Sequence, residues 1–240
     1  MRILAFDTAT SATAVALAGA GEQVLEARDD PPQGERPRHA SRLLPLAAEL
    51  LDRAGIGFRD LDRIAVGLGP GTFTGLRIGV ATARGLAHAS GVPLVGVSTL
   101  HSLALNAAGS PASGGADSVI AVLDARRGEA FAAAWRIADV EAGESSLMPP
   151  RALAPEALAD TLRQLGARTL ALGDGAIEFR VVLEDSGAIV PDDDSELHKV
   201  TAVNHCRIAR HLLPADPDQI QPEYLRLPDA EIARRAAGKQ

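Results

Sequence analysis

Ile64-Ala65-Val66-Gly67-Leu68-Gly69-Pro70-Gly71-Thr72-Phe73-Thr74-Gly75-Leu76-Arg77-Ile78-Gly79-Val80-Ala81-Thr82-Ala83-Arg84-Gly85-Leu86-Ala87 joins an apolar run to a Gly-Pro-Gly turn and then to a segment with small residues at four-residue spacing. The three parts read as strand, tight turn and helix in direct succession. Such a junction aims a helix N-terminus and several backbone N–H groups at one place, which suits an anion. The helix carries Gly75, Gly79 and Ala83 on one face, at i, i+4 and i+8, so a neighbouring helix can approach closely. The stretch thus offers a phosphate contact, a partner surface, or both.

Upstream, Arg2 to Asp7 reads as a buried strand ending in a carboxylate, Ala12 to Ala18 as a second strand, and Gln23 to Ala27 as a third. Three antiparallel strands at the start are unusual for a purely parallel α/β chain. A proline-rich loop, Asp29 to Arg38, leads to a helix over His39 to Ala54 with Leu43, Leu46 and Leu50 at helical spacing. Pro45 either starts that helix near Leu44 or kinks one beginning at His39. After the central junction come a strand at Pro93 to Val97 and a helix capped at Ser98-Thr99 and running through Asn106.

Small and turn-forming residues from Ala107 to Asp117 mark a boundary, dividing the chain at 108/109. The second unit opens with strands Ser118 to Leu123 and Glu129 to Ile137 around an Asp124-Ala125-Arg126-Arg127-Gly128 turn. Asp139 to Pro150 reads as an irregular acidic link. A helix over Pro155 to Leu165, a strand over Thr169 to Leu172, a Gly173-Asp174-Gly175 turn, a helix over Ala176 to Asp185, a strand over Ala188 to Val190 and a helix over Val200 to Leu213 follow. That last helix is placed to pack back on the first unit, ahead of a polar tail after about residue 227. The halves resemble each other coarsely.

The 240 residues leave ample core without staples, and a single cysteine, Cys206, excludes an intramolecular disulfide. No apolar run reaches the roughly 18 residues of a membrane span. The chain enters a strand-like pattern at Met1-Arg2-Ile3-Leu4, and the reading places it in the cytoplasm. A net charge of −7 and 3% aromatics argue against a chain that grips nucleic acid alone.

Asp7 and Thr8 stand where ligands bind in α/β folds, off a strand end, where the alternative use is a turn cap. Asp174, between two glycines, offers a second contact of the same kind. The six histidines form no His-x-x-x-His pair, so no metal ligands are expected, and no Walker loop is present.

Ile3-Leu4-Ala5-Phe6-Asp7-Thr8-Ala9-Thr10, the Gly69 to Gly79 junction, Pro93 to Leu100, Asp124 to Glu129, Gly173 to Ala176 and Pro222-Glu223-Tyr224-Leu225-Arg226 together resemble the TsaB (YeaZ) family. The resemblance implies an α/β fold of two actin-like (ASKHA, ribonuclease H-like) subdomains, each a mixed sheet opening with antiparallel strands and flanked by helices. It implies a role in biosynthesis of N6-threonylcarbamoyladenosine at tRNA position 37. Members of the family are inactive paralogues that support the catalytic subunit TsaD, with the ATPase TsaE joining and tRNA met only through the complex. Homodimers, and ATP or ADP at an interface, fall within the same implication, with no cofactor required by the chain itself.

In the catalytic relative the segment matching Val97 to Leu103 carries two metal-binding histidines, where this chain places Thr99 and Leu103 with His101 out of register. The relative's glycine-containing phosphate turn is matched by Ala125-Arg126-Arg127. No catalytic residue is therefore assigned.

The resulting expectation is a non-catalytic subunit whose interface uses Leu43, Leu46, Leu50, Gly75, Leu76, Gly79, Val80 and Ala83, a face that a solitary domain would instead pack on its own sheet. Asp7, Thr8, Gly69, Gly71, Thr72 and Asp174 are the candidate nucleotide or phosphate contacts. The competing reading is a nucleotide-binding phosphotransferase or ATPase built on the same residues. A protease would need a metal, or a nucleophile with its base, and the sequence offers neither pattern.

Overall fold

The computed structural model describes residues 1–226 apart from 22, 33, 112–114, 143–145 and 167. The tail expected after 227 lies outside the described residues.

Strands β1 (Ile3–Asp7), β2 (Thr13–Ala18), β3 (Leu25–Asp29), β4 (Arg63–Gly69) and β5 (Leu94–Ser98) form one sheet in the order β3-β2-β1-β4-β5. Strands β6 (Ser118–Asp124), β7 (Ala130–Arg136), β8 (Met148–Leu153) and β9 (Thr169–Leu172) form a second in the order β8-β7-β6-β9. The orders correspond when β6 takes the place of β1. In each, that strand is antiparallel to the next in sequence and parallel to the one that returns after a helix. This is the two-subdomain, mixed-sheet architecture of the actin-like fold.

Strand periodicity decides what each sheet face meets. Leu4, Phe6, Val15 and Leu17 point outward, where α1 (His39–Ala54) and α2 (Phe73–Ser90) cover them. Ile3, Ala5, Ala14 and Ala16 point inward to a core shared by both sheets. The second sheet repeats the scheme. Ile120, Val122 and Ala132 lie under α4 (Pro155–Leu165) and α6 (Arg180–Asp185), while Ala121, Leu123, Phe131 and Ala133 face the shared core.

Two helices fill the space between the sheets, and each packs on the other half's strands. Helix α3 (Thr99–Ala104) lies on β6 and β7, and α7 (Ala202–Ala209) lies on β1 and β2. Apart from Ile3 the inner face of β1 and β2 presents alanines, Ala5, Ala14, Ala16 and Ala18, so α7 can lie close to it. The shared core draws Leu100 and Leu103 from before β6 and Ala202 and Cys206 from after it.

Several boundaries differ from the sequence reading. Met148–Leu153 is strand β8, not irregular link; Pro149 and Pro150 fit because β8 pairs only with β7, at a sheet edge. The third strand lies two residues later than expected at each end, because pairing with β2 extends to Asp29 opposite Thr13. Helix α1 begins at His39 with Pro45 inside it. The helix expected over Ala176 to Asp185 is two short ones, α5 (Asp174–Glu178) and α6, and Ala188 to Val190 reduces to one bridge, Leu170 with Ile189. The last long helix contracts to α7.

Candidate functional site

The C-terminal ends of β1 and β4 meet the start of α3 and the middle of α7, and their polar groups close on one another. Asp7 is 2% exposed. Its Oδ1 accepts the Ala9 N–H at 2.7 Å and its Oδ2 accepts the Thr99 hydroxyl at 2.7 Å. His205 Nε2 stands 3.0 Å from the same Oδ2. On the other side of the ring, Nδ1 lies 2.8 Å from Ser102 Oγ and 3.1 Å from the Thr201 carbonyl. Burial pushes the Asp7 carboxyl up, but His205, the Ala9 N–H and the Thr99 hydroxyl outweigh it, so the acid is held below its ordinary value.

Serine, histidine and aspartate therefore line up, yet with the ring reversed relative to hydrolase triads, where serine meets Nε2. Ser102 and His205 are 0% exposed, so no substrate reaches the serine. The arrangement is a structural tie between β1, α3 and α7. In the sequence His205 stands out only as a histidine without metal-ligand spacing; Asp7 lies near the opposite end of the chain, so no local spacing joins the two.

The Gly69 to Thr72 turn is drawn into the same network. The Gly69 N–H donates to Thr99 Oγ1 at 3.2 Å, and the Thr72 N–H to the Ala9 carbonyl at 2.7 Å. Thr8, 1% exposed, donates its hydroxyl to the Gly75 carbonyl at 2.8 Å. The glycines permit this closeness. A Cβ on Gly67 would lie 1.9 Å from Asp7 Oδ2, one on Gly71 2.4 Å from the Ala9 carbonyl oxygen, and one on Gly75 2.0 Å from that of Thr8. The turn presses on the β1–β2 hairpin. Asp7, Thr8 and the Gly69 and Thr72 N–H groups thus already hold protein partners and do not fit a nucleotide phosphate.

The expected interface residues also need correction. Leu43, Leu46, Leu50, Leu76, Val80 and Ala83 are between 0 and 4% exposed, and Gly75 and Gly79 are buried. These side chains pack against the chain's own first sheet and Thr8. The opposite faces of α1 and α2 are the solvent-facing ones. There Ala40, Leu44, Ala48, Thr74, Arg77, Ala81 and Gly85 are exposed.

In the second half, Asp124 corresponds to Asp7, and the Asp124 N–H donates to Asp174 Oδ1 at 3.0 Å. Asp174 is not in a free turn; it opens α5 at the rim. Burial of its carboxyl and the adjacent Asp124 charge hold it above the ordinary aspartate value. Arg126 pairs with Asp124 at 3.0 Å. Arg126 and Arg127 both have positive φ, 64° and 59°, which for non-glycine residues costs roughly 1–2 kcal/mol each.

Thr99, at the first position where the catalytic relative is expected to carry a metal ligand, binds Asp7; Leu103, at the second, is buried against Gly173. His101 donates from Nε2 to the Val140 carbonyl at 2.7 Å and stacks on Trp135 at 5.4 Å, and burial lowers its pKa. Among the described residues, no three His, Cys, Asp or Glu side chains gather to hold a metal ion. No helix among them is long and apolar enough to cross a membrane.

The family model described as "TsaD: tRNA N6-adenosine threonylcarbamoyltransferase" matches residues 31–179. The chain is 34% identical over 196 residues to the tRNA threonylcarbamoyladenosine biosynthesis protein TsaB of Escherichia coli, covering 81% of this chain and 80% of that one. A Haemophilus influenzae protein of the same description is 36% identical over 135 residues, 55% of this chain and 52% of that one. Among solved structures, YeaZ from Pseudomonas aeruginosa superposes with a TM-score of 0.72 at 28% identity, covering 93% of this chain and 99% of that one. With the duplicated sheet order, the Gly69 to Gly79 junction and the Asp124 to Glu129 turn in place, the chain belongs to the TsaB (YeaZ) family.

Proposed function

We propose that this chain is a non-catalytic partner subunit that binds and supports a TsaD-type transferase in threonylcarbamoyl transfer to adenosine 37 of tRNA. The observation that carries the reading is the closed network around Asp7, which commits that acid and the turn N–H groups at the ends of β1 and β4 to partners within the chain. The exposed faces of α1 and α2 supply the docking surface. Leu44 is 47% exposed, and a Cβ on Gly85 would meet nothing within 4 Å, so a partner helix can lie close to α2 there. A second copy of the chain would use the same faces, which makes homodimer and heterodimer mutually exclusive. TsaE joins the assembled pair, tRNA is met through the complex, and ATP or ADP belongs at a subunit interface rather than in this chain's own cleft.

Co-elution with a TsaD-type transferase tests the reading. Gly85→Trp and Ala48→Arg should each weaken the complex by about tenfold or more while leaving the circular dichroism of the isolated chain unchanged. Undiminished co-elution of both variants would remove α1 and α2 from the interface. ATP turnover by the isolated chain in a phosphate-release assay would overturn the non-catalytic assignment.

A further inference from the structure

After α7 the chain returns along the first subdomain and then crosses to the second. Ala215 pairs with Leu94 at the edge of β5, and Asp218 meets Arg84 of α2 at 2.6 Å. The Glu223 N–H donates to the Leu68 carbonyl at 2.7 Å, at the end of β4. Tyr224 lies against Phe73 with ring centroids 5.2 Å apart and accepts from Arg77 Nε at 3.2 Å. The Arg77 guanidinium in turn stacks 3.8 Å over the Phe73 ring. Leu225 packs on the core shared by both sheets. Arg226 then pairs with Glu129 at 2.8 Å. Glu129 is the residue that closes the β6–β7 turn, through Ala125 N–H to Glu129 O at 2.9 Å and Glu129 N–H to Arg126 O at 3.2 Å.

Successive residues thus hold successive parts of the molecule: the end of β4, the start of α2, the shared core and the strained Arg126-Arg127 turn. We propose that Glu223–Arg226 is a strap that couples the first turn of α2 to the β6–β7 turn, so that a disturbance at Tyr224 reaches Arg126 and Arg127 through Arg226 and Glu129. The physical basis is a short segment whose successive side chains are anchored on different subdomains, Tyr224 on α2 and Arg226 on Glu129, so loss of one anchor frees its neighbour. Coupling of this kind is reciprocal. It stands independently of any partner.

Hydrogen exchange on the full-length chain tests it, with each end perturbed and the other read. Tyr224→Ala should raise exchange over residues 124–129 by roughly threefold, the scale set by losing an exposed ion pair. Glu129→Gln should raise exchange at the Glu223 amide and the start of α2 by a similar factor. Effects that stop at residues 222–226 in Tyr224→Ala, or at the turn in Glu129→Gln, would overturn the strap. If either variant loosens the whole chain, the exchanged pair Arg226→Glu with Glu129→Arg decides. Protection regained at both ends relative to Arg226→Glu alone upholds the coupling, and protection regained at neither end refutes it.

Discussion

Gly75 and Gly85 stand on the same helix and offer a matched pair of glycine-to-alanine substitutions with opposite expected signs. In a helix interior, alanine is favoured over glycine by about 1 kcal/mol. At Gly85 a Cβ meets nothing within 4 Å, so that preference acts alone. Gly85→Ala should stabilise the chain by about 1 kcal/mol. At Gly75 the Cβ would lie 2.0 Å from the Thr8 carbonyl oxygen and 2.5 Å from Thr72 Oγ1. The first of these is backbone, so no rotamer change relieves it. Overpacking of this kind costs about 1–3 kcal/mol, and displacement of the hairpin also endangers the Thr8 hydroxyl bond to Gly75, worth about 1 kcal/mol. Set against the helix preference, Gly75→Ala should destabilise by about 2 kcal/mol. For a chain of this length the two variants should then differ in Tm by roughly 6–12 °C. Urea denaturation and scanning calorimetry measure both. A Gly75→Ala protein as stable as the parent would refute the conclusion that the small-residue face is filled by the chain's own hairpin, and would return that face to the candidate partner surface.

Three further outcomes follow from buried polar groups. Asp7→Asn removes the charge paired with His205 and should cost about 3–5 kcal/mol, with a double-mutant cycle against His205→Gln recovering a coupling well above 0.5 kcal/mol; additive effects would show that the pair is not energetically joined. His39 and His101 both have pKa values lowered from 6.5 by burial, so the unfolded chain binds more protons below that pH and stability should fall as pH drops from 6.5. Asp7, lowered from 3.8, adds a further loss only as the pH falls below 3.8; a Tm that peaks at pH 5 would contradict the sign. Cys206 is 1% exposed and burial pushes its thiol up to about 12, so the native chain should resist iodoacetamide at pH 8 and react once unfolded in urea.

The duplicated architecture was largely legible because strand alternation and helix spacing are local. Ile3-Leu4-Ala5-Phe6-Asp7 announces its two faces residue by residue, and the Gly-Pro-Gly junction announces its turn. Strand β8 escaped because Pro149-Pro150 argues against a strand until its place at a sheet edge is known. The small-residue stripe of α2 was also legible as a place of close approach, but not what approaches: the answer is the Thr8-Ala9 hairpin, which lies far away in sequence.

The site divides along the same line. The residues alone specified that Asp7 ends a buried strand and that Arg126 and Arg127 occupy a turn between two strands, while the place of Thr99 and Leu103 opposite metal-binding histidines was implied only by the family resemblance. Only the tertiary structure decided that Asp7 is held by Thr99 and His205, that α3 and α7 are exchanged between the sheets, and that residues 223–226 tie the two halves together. The reason is that periodicity encodes which face of an element is buried, whereas the identity of the neighbour follows from topology, which brings β1, α3 and α7 into contact across the length of the chain.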